Sequence, residues 1–202
     1  MIKKGFTKLG ILILYLISLL PFWFLYILSD IAFVIIYYIV HYRRDVVQQN
    51  LRNSFPEKTD QERRDIERKY YRYLADLIVE TIKMITVSEK QIRKRVVATN
   101  SDLVFEYFTK GKSIIAVAGH YCNWEMAALN FNFVTDKRFM IIYKNLSNKT
   151  FDDFFIKIRS RFGGQPVAMK QTLRKMIEYR KELTVSVLVG DQTPVMHEVN
   201  YF

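Results

Sequence analysis

The segment Ala118-Gly119-His120-Tyr121-Cys122-Asn123-Trp124-Glu125 holds the residue types best suited to chemistry. His120 supplies a group that exchanges a proton near neutral pH, and Glu125 supplies a carboxylate five residues on. On one continuous helix these side chains would stand about 140° apart and would not meet. They meet if His120 lies in a loop and Glu125 in the first turn of a helix. Glu125 would then accept the Nδ1 proton of His120, fix its tautomer and leave Nε2 as a general base. Such a pair is the base and orienter of a triad without a protein nucleophile, so the attacking oxygen is a substrate hydroxyl. Amides at the start of that helix favour a nearby phosphate or a developing oxyanion. As bare spacing the pair is weak evidence: with 20 acids in 202 residues, a given histidine has roughly a one-in-ten chance of an acid at this offset. His41 and His197 have none there and read as an interfacial and a loop residue. A purely structural histidine is the competing reading of His120.

The elements that position this segment follow from apolar patterning. Residues 113–118 form an apolar run of strand length, and 123–133 reads as a helix. Further strands are expected at 95–98, 139–143 and 184–189. Helices are expected at 102–108 (closed by Gly111), 148–162 (stopped by Gly163 and Gly164) and 171–181. Strands alternating with helices predict an α/β fold, with a mostly parallel central sheet flanked by helices. Ligands of such sheets bind beyond the carboxyl ends of the strands, and His120 follows one such end. Upstream, Thr59-Asp60-Gln61-Glu62 is a capping box that should open a long helix reaching about Ile85. Its apolar stripe reads Ile66, Tyr70, Tyr73, Leu77, Thr81 and Met84. Ser88-Glu89-Lys90-Gln91 is a second capping box.

Composition narrows the class. Half the residues are hydrophobic, which excludes disorder, and 7 Gly with 4 Pro exclude a collagen-like chain. Cys122 is the single cysteine, so there is no internal disulfide and no cysteine-rich zinc site. No metal site is expected, and neither a phosphate-binding loop nor a dinucleotide fingerprint is present. The 21 residues 9–29 carry no charge, close to the length that spans a bilayer core, and a second apolar run covers 31–42. Pro21 interrupts the first run, and basic residues flank both ends: Lys3, Lys4 and Lys8 before, Arg43 and Arg44 after. The preference of basic flanks for the cytoplasm favours a broken helix, a shallow hairpin or an in-plane helix over a single crossing. Residues 1–44 are therefore expected to be a membrane-embedded helical anchor, and 45–202 the α/β domain. The chain stops just after a strand, as a domain truncated at its C-terminus would. The net charge of +11 suits anionic headgroups or an acidic protein; nucleic acid is set aside, because the anchor already provides an anionic neighbour.

Gly119-His120-x-x-Asn123-Trp124-Glu125 resembles the signature block of the lipid A biosynthesis acyltransferases of the late, lauroyl/myristoyl type, within the H-x-x-x-x-[DE] membrane acyltransferases. Other segments resemble the family in the family's order: Asn50-Leu51-Arg52-Asn53-Ser54-Phe55-Pro56, Glu80, Tyr143-Lys144, Arg159 with Gly163, and Gly190-Asp191-Gln192-x-Pro194. Cys122 departs from the small or polar residue usual there. The resemblance implies transfer of a fatty acyl chain from an acyl thioester, typically on acyl carrier protein, to a hydroxyl of a lipid A precursor. It implies His120 as base, oriented by Glu125, with Asn123, Lys144, Arg159, Asp191 and Gln192 as substrate-side residues. Arg159 and Lys144 would meet lipid phosphate or the donor's phosphopantetheine; the alternatives are an Arg159 ion pair with Asp152 or Asp153 and a solvated Lys144. No resident cofactor is implied. The implied location is the cytoplasmic face of a bacterial inner membrane, in lipopolysaccharide and glycolipid biosynthesis, with the bilayer and the glycolipid acceptor as partners. The alternatives are an acyltransferase for a glycerol phosphate, an aminolipid or a glycosylated mannoside, and a non-catalytic membrane scaffold.

Overall fold

A computed structural model of the chain describes residues 2–191. Two compact units are formed: one is Gly10–Thr86, the other Met1–Leu9 with Val87–Phe202. This division is one of packing, whereas the expected boundary at residue 44 is one of hydropathy.

The Gly10–Thr86 unit is helical. Its elements are α1 (Ile2–Leu19) from Gly10 onward, α2 (Phe22–Val34) running on into a π-helical turn (Ile35–Ile39), α3 (Arg44–Ser54) and α4 (Asp60–Lys83). Pro21 separates α1 from α2. It has no N–H to donate back into α1, and its carbonyl accepts the first bonds of α2, from Phe24 at 3.0 Å and Leu25 at 3.1 Å. The capping box of α4 is formed: the Thr59 amide donates to Glu62 Oε2 at 2.8 Å, and the Glu62 amide donates to Thr59 Oγ1 at 3.3 Å.

The buried stripe of α4 differs from the expected one. It runs Glu67, Tyr71, Ala75, Val79 and Lys83, whereas Tyr70 and Tyr73 are exposed. Polar partners explain the rotation. Glu67, 1% exposed, accepts from Arg44 Nε at 2.6 Å and from Gln48 Nε2 at 3.2 Å. Lys83, 4% exposed, donates to the carbonyls of Ser18 at 2.9 Å and Leu20 at 2.8 Å, which end α1 without intrahelical partners. Burial lowers the Lys83 pKa below the usual lysine value. Phe33, Tyr37, Tyr71 and Ala75 form the apolar core between these polar ends.

The second unit contains α5 (Glu89–Arg95), α6 (Asp102–Thr109), β1 (Ile114–Ala118), α7 (Trp124–Phe131), β2 (Arg138–Tyr143), α8 (Lys149–Arg159), β3 (Gln165–Ala168), a 3-10 turn (Met169–Gln171), α9 (Thr172–Glu178) and β4 (Thr184–Val189). The four strands form one parallel sheet in the order β1-β4-β2-β3, flanked by helices. Gly111 closes α6 with φ +66°, its amide donating to Phe108 and that of Lys112 to Tyr107.

Two expectations are corrected. The strand at 95–98 is not formed. The helix opened by Ser88 takes in Arg95; Val96 is extended, and Val97 is 74% exposed with no strand beside it among the described residues. β3 was not expected, because a four-residue Gln-Pro-Val-Ala run gives little strand signal. Pro166 fits there because β3 lies at the sheet edge and pairs only with β2. The core under α7 is Phe139, Ile141 and Val185, with Phe131 stacked on Phe139 at 4.7 Å between ring centroids.

Two substitutions grade these interactions. Thr59→Ala removes an N-cap and is expected to cost about 1 kcal/mol. Glu67→Ala removes a charged acceptor from Arg44 and Gln48 and is expected to cost about 2 kcal/mol. Thermal unfolding followed by circular dichroism checks the order.

Candidate active site

β1 and β4 are separated by more than sixty residues of chain but are neighbours in the sheet, with Ala118 opposite Val189. The ladder runs one step further, where the Gly190 amide donates to the Ala118 carbonyl at 3.0 Å. That bond brings Asp191 beside the loop that leaves β1. Asp191 Oδ2 accepts from the His120 backbone amide at 2.7 Å, and Oδ1 lies 2.5 Å from His120 Nδ1. Gly119 is small for a reason: a Cβ there would stand 3.1 Å from Asp191 Oδ2. Trp124 closes the other side of the imidazole, edge to face at 4.7 Å.

The expected contact between His120 and Glu125 is therefore replaced. The carboxylate at Nδ1 belongs to Asp191. Glu125 does lie in the first turn of α7, as expected, but it meets the fork of Arg159 from α8. Arg159 Nε donates to Glu125 Oε2 at 2.9 Å, and Nη2 donates to Oε1. A guanidinium fits a carboxylate at two points and an imidazole at one, so the bidentate pair forms where both can reach Glu125. Burial opposes the charge on Arg159, but the bonds to Glu125 outweigh it and raise its pKa. The alternative partners of Arg159 on its own helix are engaged elsewhere. Asp152 accepts from the Leu146 amide at 2.8 Å, and Asp153 from Lys149 at 2.9 Å.

Asn123 caps α7, its Oδ1 accepting from the Met126 amide at 2.9 Å. Cys122, just before it, has φ +50°, a left-handed turn that swings the chain from the His120 loop into the helix. Lys144 is exposed beyond the end of β2. Gln192 lies outside the described residues, as do Pro194 and His197.

A cavity of about 630 Å³ opens at the carboxyl ends of the strands. His120, Glu125, Lys144 and Arg159 line its polar part; Ala116, Ala118, Ala127, Ala128, Phe131 and Phe139 line its apolar part. The four alanines, on β1 and α7, leave space between sheet and helix that larger side chains would fill. Such a volume suits a ligand with a long apolar portion. Among the described residues, no group of three or more His, Cys, Asp or Glu side chains could hold a metal ion.

Reasoning from sequence placed His120, Glu125, Arg159, Lys144 and Asp191 around one site, and the structure brings all five to one end of the sheet. It missed that Asp191 is the partner of His120. The available signal was that Asp191 and His120 each follow an apolar strand by one short step.

The hydrogen bonds from the His120 ring and from its backbone amide hold the Asp191 pKa below the usual carboxylate value. The unfolded chain titrates this carboxyl near about 3.9. The stabilisation is therefore complete above that value and is lost as pH falls through the lowered one. The stability gap between the chain and Asp191→Asn, measured by urea unfolding, is expected to be widest at neutral pH and to close below about pH 4. A gap that stays constant from neutral to acid pH contradicts this coupling.

Comparison with curated proteins gives no match. A family model described as bacterial lipid A biosynthesis acyltransferase matches residues 1–202. With its parallel α/β sheet, the H-x-x-x-x-E segment at a strand end and this match over the whole length, the chain belongs to the bacterial lipid A biosynthesis acyltransferase family.

Proposed function

We propose that the chain moves a fatty acyl group from an acyl thioester, borne by acyl carrier protein, onto a hydroxyl of a lipid A precursor. The observation that carries this reading is the His120–Asp191 contact at the mouth of the cavity. Asp191 accepts the Nδ1 proton, which leaves the lone pair of the neutral imidazole on Nε2. Nε2 takes the proton of the acceptor hydroxyl as its oxygen bonds to the thioester carbonyl carbon. The tetrahedral intermediate then collapses, the C–S bond breaks, and the imidazolium returns its proton to the departing thiolate. One ester forms, one thioester is lost, and no proton is gained or lost overall.

Other groups have supporting parts. The Trp124 and Glu125 amides open α7 without intrahelical acceptors and offer donors to the oxyanion. The Glu125–Arg159 pair ties α7 to α8 and holds that helix start in place. Lys144 at the rim suits a phosphate of lipid A or of the donor's phosphopantetheine. The net charge of +11 favours encounter with an acidic carrier protein, and the reaction as written uses no resident cofactor. Phe22–Ile39 is an apolar stretch of 18 residues with most of it left uncovered, and the basic Arg43 and Arg44 follow it. We assign the chain to the bilayer on this basis, at the cytoplasmic face of the inner membrane.

The test uses labelled acyl carrier protein and a lipid A precursor, with mass spectrometry of the product. The expected gain is one acyl group. His120→Ala is expected to abolish turnover, and Asp191→Asn to lower kcat about 10²- to 10⁴-fold with KM nearly unchanged. Undiminished turnover in either variant overturns the mechanism. Acylation of a glycerol phosphate but not of the lipid A precursor overturns the acceptor.

A further inference from the structure

α2 is apolar on two opposite faces, and only one of them is covered. Leu25, Ser29, Phe33 and Tyr37, four residues apart, are buried. On the opposite side Trp23, Ile27, Ile31, Val34 and Tyr38 form an exposed stripe, with Trp23 66% and Ile31 53% exposed. In α1, Leu12, Leu16 and Leu19 are exposed as well.

The covered face is tied to α4 along its length by polar contacts. Tyr26 donates to Glu80 Oε1 at 2.7 Å, and Ser29 to Asp76 Oδ1 at 2.6 Å. Asp30 pairs with Arg72 at 3.1 Å, and Tyr37 meets Tyr71 with ring centroids 5.3 Å apart. Beyond α2, Arg44 holds Glu67. α4 also exposes Arg68 and Lys69 between these contacts. A helix of 18 residues reaches roughly 27 Å, so α2 crossing a bilayer would carry this charged partner through the hydrocarbon with it. Ion-pair and hydrogen-bond contacts spaced along α2 are those of a helix whose back stays wet.

We infer that α2 does not cross the membrane. It lies in the plane of one leaflet, with the Trp23–Tyr38 stripe immersed and α4 on the water side. The partner is an anionic phospholipid surface. Trp23 and Tyr38 at the two ends of the stripe suit the headgroup zone, and Arg43, Arg68 and Lys69 complement its charge. This inference rests on the membrane assignment made above.

The test places a fluorophore on single cysteines at positions 23, 31 and 38 of the full chain in a Cys122→Ser background, all at exposed sites. The proteins are bound to vesicles of phosphatidylethanolamine and phosphatidylglycerol, and quenching by lipids spin-labelled near the headgroup or near the chain end gives the depth. An in-plane helix gives one shallow depth at all three positions. A spanning helix puts position 31 about 12 Å deeper than position 23, eight residues away, and that result overturns the inference. Failure of the unlabelled chain to sediment with the vesicles overturns the membrane assignment itself, a distinct outcome. Replacing Ile27 and Ile31 by Ser provides a second check without labels. It is expected to weaken vesicle binding at least tenfold while leaving the circular dichroism unchanged, and unweakened binding overturns the inference.

Discussion

One contact across a sheet organises this site: the carboxylate that follows β4 against the imidazole that follows β1. Neither residue could hold the other alone. His120 sits in a short loop and Asp191 immediately after a strand, and each is fixed only because the two strands are parallel neighbours whose ladder continues to Gly190. A shift of one residue in the register of β4 would turn Asp191 to the other side of the sheet. Packing of Phe139, Ile141 and Val185 beneath α7 holds these strands together, so the core also supports the contact between His120 and Asp191.

The two carboxylates near His120 have separate duties. Asp191 faces a single ring nitrogen and a backbone amide, which suits control of a tautomer. Glu125 faces a planar guanidinium at two points, which suits rigidity: it fixes the start of α7 against α8, where Arg159 Cζ lies 5.4 Å from the centroid of the Tyr143 ring. The apolar part of the same cavity includes Ala116, Ala118, Ala127 and Ala128, whose small side chains leave it open.

The buried polar groups of the helical unit obey the same economy of partners. Glu67 and Lys83 both lie on the covered stripe of α4, and each meets a group that needs it: a guanidinium in one case, the open carbonyls at the end of α1 in the other. Immersing Arg68, Lys69 and Arg72 at the midplane of a bilayer would cost roughly 8 kcal/mol or more, far above the yield of any contact they make here.

Most elements were legible in the sequence because their signals are local. Capping boxes at Thr59 and Ser88, the glycine after α6, and the apolar runs of β1, β2 and β4 each sit within a few residues of what they specify. The errors are where distance in the chain hides the deciding partner. The stripe of α4 was misjudged because Arg44 and the end of α1 stabilise charged residues that hydropathy assigns to solvent. The carboxylate in contact with His120 Nδ1 was misjudged because proximity in sequence favoured Glu125 over one 71 residues away. The segment 95–98 was misjudged because β-branched residues are not a strand without a neighbour to pair with. The most direct measurement of the central claim is the nitrogen NMR spectrum of ¹⁵N-labelled imidazoles above neutral pH, with His120 assigned from its loss in His120→Ala. The account predicts the Nδ1–H tautomer, with the proton on the nitrogen facing Asp191; a protonated Nε2 with a bare Nδ1 would contradict it.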